Sequence, residues 1–440
     1  MSGAEGPHLK RVLTLGPLMG IVYFTVGGGV YGIEDLVPSV GPGMSLALLI
    51  AIPLIWSLPV ALVAAELATA MPDEGGYYVW VRRSLGEFWG FQEGWWNLLT
   101  SFADSAIYPV LFVGYLQGFF PGMDARVRFL AAAAFIWVVA ALNMAGIEQV
   151  GASALILALV IQLPILALVV AGFAGATQVP WRPFLPPGGG LAATFGVGLS
   201  VLLWNYSGWD NTSTYVGEVA NPGRTYPLAL LATMPLVVLG YLLPVGAALA
   251  AGVDPGAWKA GGFKAIGAAL GGPWLGAGMA LGGMASMFGL FGALLLSYSR
   301  IPFVLAQDGY LPKALARVHA TRGTPWAAIG VSAAACTALV PFPFQKLVVF
   351  DILLYFLALG LQCASLVRRR LRGAEAGAFR IPGGWLGVAL VVGSLTAVVV
   401  ASIGGAGRSA ILFSAVAALT GPVAYGVIRT VRGRPALAEG

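Results

Sequence analysis

The stretch Val26-Gly27-Gly28-Gly29-Val30-Tyr31-Gly32-Ile33-Glu34-Asp35 lies in the middle of an otherwise apolar segment. Three consecutive glycines make a poor helix interior, each costing about 1 kcal/mol relative to Ala. Irregular backbone at membrane depth survives only inside protein or beside a water-filled cavity. A second stretch, Trp204-Asn205-Tyr206-Ser207-Gly208-Trp209-Asp210-Asn211, interrupts another apolar segment at comparable depth. Gly32-Ile33-Glu34-Asp35 and Gly208-Trp209-Asp210-Asn211 share a Gly-x-acid-Asp/Asn pattern. Paired interruptions at corresponding places in two halves of a chain point to a ligand site between them.

The chain around these stretches reads as membrane protein. Of 440 residues, 58% are hydrophobic and 10% charged, at a mean hydropathy of +0.86. A soluble domain carries about 25% charged residues, and such apolarity also excludes disorder. Twelve apolar segments follow one another, at 13–40, 43–71, 88–118, 129–147, 150–176, 191–217, 226–252, 273–305, 324–341, 347–367, 382–402 and 409–428. A spanning helix needs about 20 apolar residues, and the alternating decads of a β-barrel are absent. The expected fold is an all-α integral membrane domain over residues 1–440 with twelve transmembrane helices, the first and sixth broken. A Pro/Gly-rich connector, Val179 to Gly190, divides it after five segments. Residues 13–176 and 191–371 then form two halves of five, and 382–430 supply two additional helices. Trp258 to Leu270 reads as a short helix at the membrane surface, and Asp308 to Pro325 as a punctuated loop.

A cytoplasmic N-terminus puts 17 of the 24 basic residues inside and 7 outside, which orients both termini to the cytoplasm of a multi-pass cell-membrane protein. The net charge of +6 follows that loop placement and gives no nucleic-acid surface. No cleavable signal peptide is expected, because the polar start runs directly into a long apolar segment. Cys336 and Cys363 have no CxxC spacing, and His8 and His319 are isolated, so no metal set, cofactor or nucleophile–base pair is expected and the chain is not read as an enzyme. Gly27 to Gly32 also fits G-x-G-x-x-G, but lacks the strand and soluble βαβ unit that this fingerprint requires.

A broken helix offers free N–H groups at one end and free carbonyls at the other, which together can hold a zwitterion. The apolar segments also contain Glu34, Asp35, Glu66, Asp104, Asp210 and Asp351, with no Lys or Arg in mid-span. Buried acids without bases are protonated or face a cation, so the expected guests are protons, inorganic cations or amines. Glu34 and Asp210 either cap the restarting helices or face the ligand. Asp104 sits mid-way along the third segment, whereas Glu66 and Asp351 lie closer to segment ends. Trp204, Tyr206 and Trp209 surround the second break, where aromatic faces can cover an ammonium group.

At these motifs the chain resembles the amino acid/polyamine/organocation (APC) transporter superfamily, in particular its plant-type polyamine and L-type amino acid transporter branch. The resemblance is carried by Gly28 to Asp35, Pro53-Leu54-Ile55-Trp56-Ser57-Leu58-Pro59, Glu66-Leu67-Ala68, Gly75-Gly76-Tyr77-Tyr78-Val79-Trp80-Val81, Trp89-Gly90-Phe91-Gln92 and Ala106 to Phe112. Trp204-Asn205, Trp209-Asp210 and Gly217-Glu218-Val219-Ala220-Asn221-Pro222 continue it; it is dense to residue 250 and thin beyond. It implies a LeuT-like fold, a 5+5 inverted repeat with alternating access. It also implies that the backbone of Gly28, Gly29 and Val30 meets a substrate carboxylate where one exists. Carbonyls near Trp204, Asn205 and Ser207 would accept from the amine, with Trp204 as a lid. Asp210 matches a position linked to proton sensing, and Asp104 a third-helix position near the pocket. Where the polyamine branch has acids in its eighth and tenth helices, this chain has Leu295, Tyr298 and Gln362. The fifth segment also lacks the Lys that serves some proton-coupled relatives as a sodium surrogate.

The resulting expectation is a secondary active transporter of an amino acid or small amine, with a polyamine as the alternative substrate and an amine-binding sensor or channel as the alternative class. Substrate-binding candidates are Gly28, Gly29, Val30, Glu34, Asp104, Trp204, Asn205, Tyr206 and Ser207. Protons are preferred over sodium as the coupling ion, with Asp210 or Glu66 as carrier.

Overall fold

Inside hydrocarbon a backbone must satisfy its own hydrogen bonds, so apolar runs fold as helices until glycine or proline stops them. The computed structural model describes residues 11–432 apart from Gly189, Pro255, Gly256, Ala260, Pro343, Ala406 and Gly407. In chain order come α1 (Leu15–Val26), α2 (Leu36–Val40), α3 (Pro42–Ile52), a π-helical turn (Pro53–Ser57), α4 (Leu58–Ala70), α5 (Tyr77–Leu85), α6 (Glu87–Gln117), α7 (Ala125–Ala145) and α8 (Ile147–Ala174). The second half contains α9 (Leu191–Asn205), a 3-10 helix (Asn211–Glu218), α10 (Pro222–Ala250), α11 (Phe263–Tyr298), α12 (Arg300–Gln307), α13 (Trp326–Leu339), α14 (Phe344–Leu371), α15 (Gly384–Gly405) and α16 (Arg408–Arg432).

Among the described residues nine helices are long and apolar enough to cross a membrane. Three shorter apolar helices, Leu15–Val26, Thr194–Asn205 and Trp326–Leu339, accompany them. Large apolar side chains stand exposed on α8 (Leu159, Leu163, Val170), α15 (Leu390, Val400) and α16 (Leu412, Val416, Leu419). An exterior this apolar suits lipid rather than water. The molecule is therefore an all-helical, multi-pass membrane protein. Of the stretch Trp258 to Leu270, expected as a short helix, the part from Phe263 is helical and forms the start of α11, set off where Gly271 and Gly272 (φ 78°) leave helical geometry just before Pro273.

Both interruptions expected in the sequence are present. α1 stops at Val26, and Gly28, Gly29 and Gly32 take φ of 56°, 100° and 102°, a region that side chains beyond glycine rarely enter. α9 stops at Asn205 and the chain turns at Gly208 (φ 95°) before the 3-10 helix. Gly32 and Gly208, which open the two echoing tetrapeptides, thus share a positive φ.

The outer ends of the broken segments are tied together. The amides of Val12 and Leu13 both donate to the Glu218 carbonyl at 3.0 Å, and Ala220 N–H donates to the Leu13 carbonyl at 2.9 Å. Arg300, fully buried at the start of α12, holds the Glu218 carboxylate from Nε (2.9 Å) and Nη2 (3.2 Å). Removing one partner of a buried ion pair strands the other charge and costs about 3–5 kcal/mol. Arg300→Met is expected to lower the unfolding temperature of the purified protein sharply, and Glu218→Gln in the same chain to recover much of the loss; thermal unfolding of the three forms measures it.

Candidate functional site

The two breaks face each other. A Cβ added to Gly208 would stand 2.7 Å from the Thr25 carbonyl oxygen at the end of α1. Asn205 Nδ2 reaches the Gly32 carbonyl at 3.4 Å. From α10, the Tyr241 hydroxyl donates to the Asn205 carbonyl at 3.1 Å, and it also lies 2.6 Å from where a Gly27 Cβ would be. The π-helical turn supports the second break from behind: Ser57 Oγ donates to the Tyr206 carbonyl (3.2 Å) and Trp56 Nε1 to Ser207 Oγ (3.3 Å). A π-turn widens a helix locally and is common beside functional sites.

Between the breaks lies a small cavity of about 30 Å³, whose walls include Thr25 and Val26 of the first break, Ser207 and Gly208 of the second, and Asp104, Trp204 and Asp351. Such a volume holds about two waters. Among the described residues, no backbone amide donates to the carbonyls of Thr25 or Val26, so α1 ends in free acceptors at the wall. Asp104 is firmly held: Trp204 Nε1 (3.2 Å) and the Tyr108 hydroxyl (3.3 Å) donate to Oδ1, and the Tyr298 hydroxyl (2.9 Å) to Oδ2. Trp204 stacks on Tyr108, with ring centroids 6.1 Å apart. Asp351, two turns into α14, enters the same cavity and has no hydrogen-bond donor among the described residues. No Lys, Arg or His is among the described residues that line it. Two carboxylates thus line the cavity with no base among the described residues beside them.

Of the expected substrate residues, Asp104, Trp204 and Ser207 line the cavity, and Gly28, Gly29, Val30, Glu34, Asn205 and Tyr206 are outside its lining. The Gly28 carbonyl is taken by Ser286 Oγ at 2.5 Å, and Gly29 faces Ile161 and Ile165 of α8. Glu34 turns onto its own break, accepting the Gly32 amide (2.8 Å) and the Tyr115 hydroxyl (2.8 Å). The Trp204 and Asn205 carbonyls, expected to meet an amine, here accept Ser207 N–H and the Tyr241 hydroxyl. The Tyr206 ring is buried away from the cavity, with its hydroxyl donating to the Leu49 carbonyl at 3.0 Å.

Glu66 corrects the reading of its segment as an acid without a base. Arg370, near the end of α14, binds it bidentately (Nε–Oε1 2.7 Å, Nη2–Oε2 2.6 Å), and the Ile381 amide adds a third bond at 2.7 Å. The partner comes from 304 residues away, beyond the apolar core of its own segment. Asp210 is fully buried and accepts the Tyr355 hydroxyl (2.7 Å) and Gln362 Nε2 (2.8 Å). Tyr355 also lines the cavity, so one hydroxyl joins Asp210 to the cavity wall.

A family model described as amino acid permease matches residues 12–425. The chain belongs to the amino acid permease family. It is 36% identical to "Polyamine transporter RMV1" of Arabidopsis thaliana over 388 residues, 87% of this chain and 78% of that protein. It is 34% identical to "Polyamine transporter PUT1" of rice over 395 residues, 89% of this chain and 73% of that one. "Branched-chain amino acid permease BcaP" of Bacillus subtilis is 26% identical over 368 residues, 78% of this chain and 77% of BcaP. Membership of a permease family makes this permease a membrane transporter rather than an enzyme.

Proposed function

We propose that this permease is a secondary active transporter that imports short aliphatic di- and polyamines across the cell membrane by alternating access, driven by protons. The observation that carries the reading is the pair Asp104 and Asp351 on one cavity, with no basic residue among the described residues lining it. A dication can neutralise both acids, and the free carbonyls of Thr25 and Val26 offer further acceptors to its ammonium groups. A zwitterion would bring its own carboxylate toward two others. The names of the two plant relatives support the same substrate class. An amino acid is the second reading, supported by the family description and by the likeness to the Bacillus permease.

A LeuT-like arrangement with a 5+5 inverted repeat (13–176 and 191–371) and two additional helices (382–430) is supported by the matching breaks. The nine long and three short apolar helices, taken in order, agree with twelve spans. The basic residues, 17 against 7, support cytoplasmic termini. Alternating access is supported by the cavity's size, since about 30 Å³ must widen to admit a diamine. Asp210 is the proton carrier of this scheme, because Tyr355 links it to the cavity. Glu66 is not kept as carrier, since its charge is already matched by Arg370.

Purified protein in liposomes tests the reading. With an inward proton gradient, labelled 1,4-diaminobutane should accumulate faster than 1-aminobutane or leucine, and collapse of the gradient should slow it. Leucine uptake without diamine uptake would overturn it.

A further inference from the structure

One buried acid has no place in the scheme so far. Glu93, on the second turn of α6, is completely buried, and its Oε2 has no hydrogen-bond partner. Its Oε1 accepts Gln362 Nε2 at 3.1 Å and Asn97 Nδ2 at 3.3 Å. The same Gln362 nitrogen donates to Asp210 Oδ2 at 2.8 Å. One amide nitrogen thus spends both its hydrogens on two different carboxylates. Reversing the amide would aim its oxygen at both acids, so the donor orientation is the one the carboxylates require.

The described surroundings supply no compensating charge. Among the described residues, no Lys, Arg or His is bonded or ion-paired to either acid. The titratable groups that face the pair are Tyr77 from α5, Tyr226 from α10, and Tyr355 and Cys363 from α14, all neutral when protonated. Three buried polar atoms at the site lack partners: Glu93 Oε2 itself and, beside the acids, Gln362 Oε1 and the Tyr77 hydroxyl. Two of these are acceptors in want of a donor. Two fully buried carboxylates that share one donor nitrogen, with no base bonded to either among the described residues, cannot both stay ionised.

We propose that Glu93 and Asp210 form a single proton site that holds one proton between them, on one carboxyl or the other, with the Gln362 amide donating to both and so coupling their occupancy. Glu93 is the second carboxylate of that site. The proton's use in coupling rests on the transport function proposed above, whereas its sharing does not. Two residues of the cavity wall connect the site to the ligand: Tyr355 donates to Asp210 and Asn97 to Glu93. An ammonium group that pulls either residue toward Asp104 or Asp351 would remove a donor from the pair and so change its hold on the proton.

Infrared titration of the purified wild-type protein without substrate tests the sharing. Asp104 and Asp351 line one cavity without a base among the described residues and contribute a protonated carboxyl in every form, so the readout is the difference spectrum, wild type minus variant. At neutral pH it should contain the C=O stretch of a buried protonated carboxyl for both Glu93→Gln and Asp210→Asn, because either change leaves one carboxylate with its donors and no like charge opposite. Absence of this band from either difference spectrum overturns the proposal. Gln362→Leu is the second variant, needed if Glu93→Gln does not fold. It removes a donor from both acids and should carry the band to higher pH, and an unshifted band overturns the bridge. In liposomes, Glu93→Gln should reduce gradient-driven accumulation of 1,4-diaminobutane by about tenfold relative to substrate exchange without a gradient. An equal effect on both assays would overturn its part in coupling. Failure of wild type to move the diamine would count against the transport reading alone, since the infrared result stands apart from it.

Discussion

Replacing Asp351 by Asn is expected to raise the KM for diamine uptake by about 10- to 100-fold, the equivalent of a hydrogen bond to a charged group. The asymmetry between the two acids of the cavity argues for this residue first. Asp104 receives Trp204, Tyr108 and Tyr298, so it has a structural duty besides any contact with a ligand. Asp351 receives no donor among the described residues and has only the cavity to face. Its neutral amide therefore removes attraction for the second ammonium group and disturbs little else. Uptake of 1-aminobutane, which has one ammonium group, should change by less than about threefold, below the range for a lost charged hydrogen bond. Asp104→Asn should weaken both amines and lower kcat as well, because it loosens the anchor of Trp204. Kinetics of the two variants in liposomes decide the matter. An unchanged diamine KM in Asp351→Asn would return the cavity to a singly charged or zwitterionic guest.

Gly208→Ala should abolish transport, with a loss of about 100-fold or more in rate, on the scale of a small displacement at a reacting centre. Two costs coincide there. At φ 95° any side chain is strained by about 1–2 kcal/mol. The new methyl would also stand 2.7 Å from the Thr25 carbonyl oxygen, which is main chain and cannot rotate aside. Relief requires the two breaks to separate, and the cavity is defined by their approach. Gly114→Ala, on α6 with nothing within 4 Å of its Cβ position, is the matched control and should transport as wild type. Uptake and thermal unfolding of the two variants separate a local effect from general instability. Wild-type transport by Gly208→Ala would mean that the breaks need not touch.

The breaks are legible because glycine clusters within an apolar run admit few readings, and Gly32 and Gly208 both take a positive φ. What the sequence obscured was partnership across distance. Glu66 looked unpaired because Arg370 arrives from the far end of another helix. Asp351 reads as peripheral because the apolar run begins at residue 347, whereas α14 begins at Phe344 and sets it two turns into the helix. Glu93 lies near the start of a long apolar span, and the sequence carries one signal for it. Glu93, Asn97, Thr100, Asp104 and Tyr108 are spaced by three or four residues and form one stripe on α6. Asp351, Tyr355 and Gln362 form a corresponding stripe on α14, which lies against α6. Neither stripe has meaning until the other is seen to face it.

The most direct test of the account is a cryo-electron microscopy map of the permease bound to 1,4-diaminobutane. It should contain ligand density running from Asp104 to Asp351, flanked by the turns at Gly27–Gly32 and Tyr206–Asp210, with both helices still interrupted. Density elsewhere, or a continuous helix through either interruption, would contradict the account.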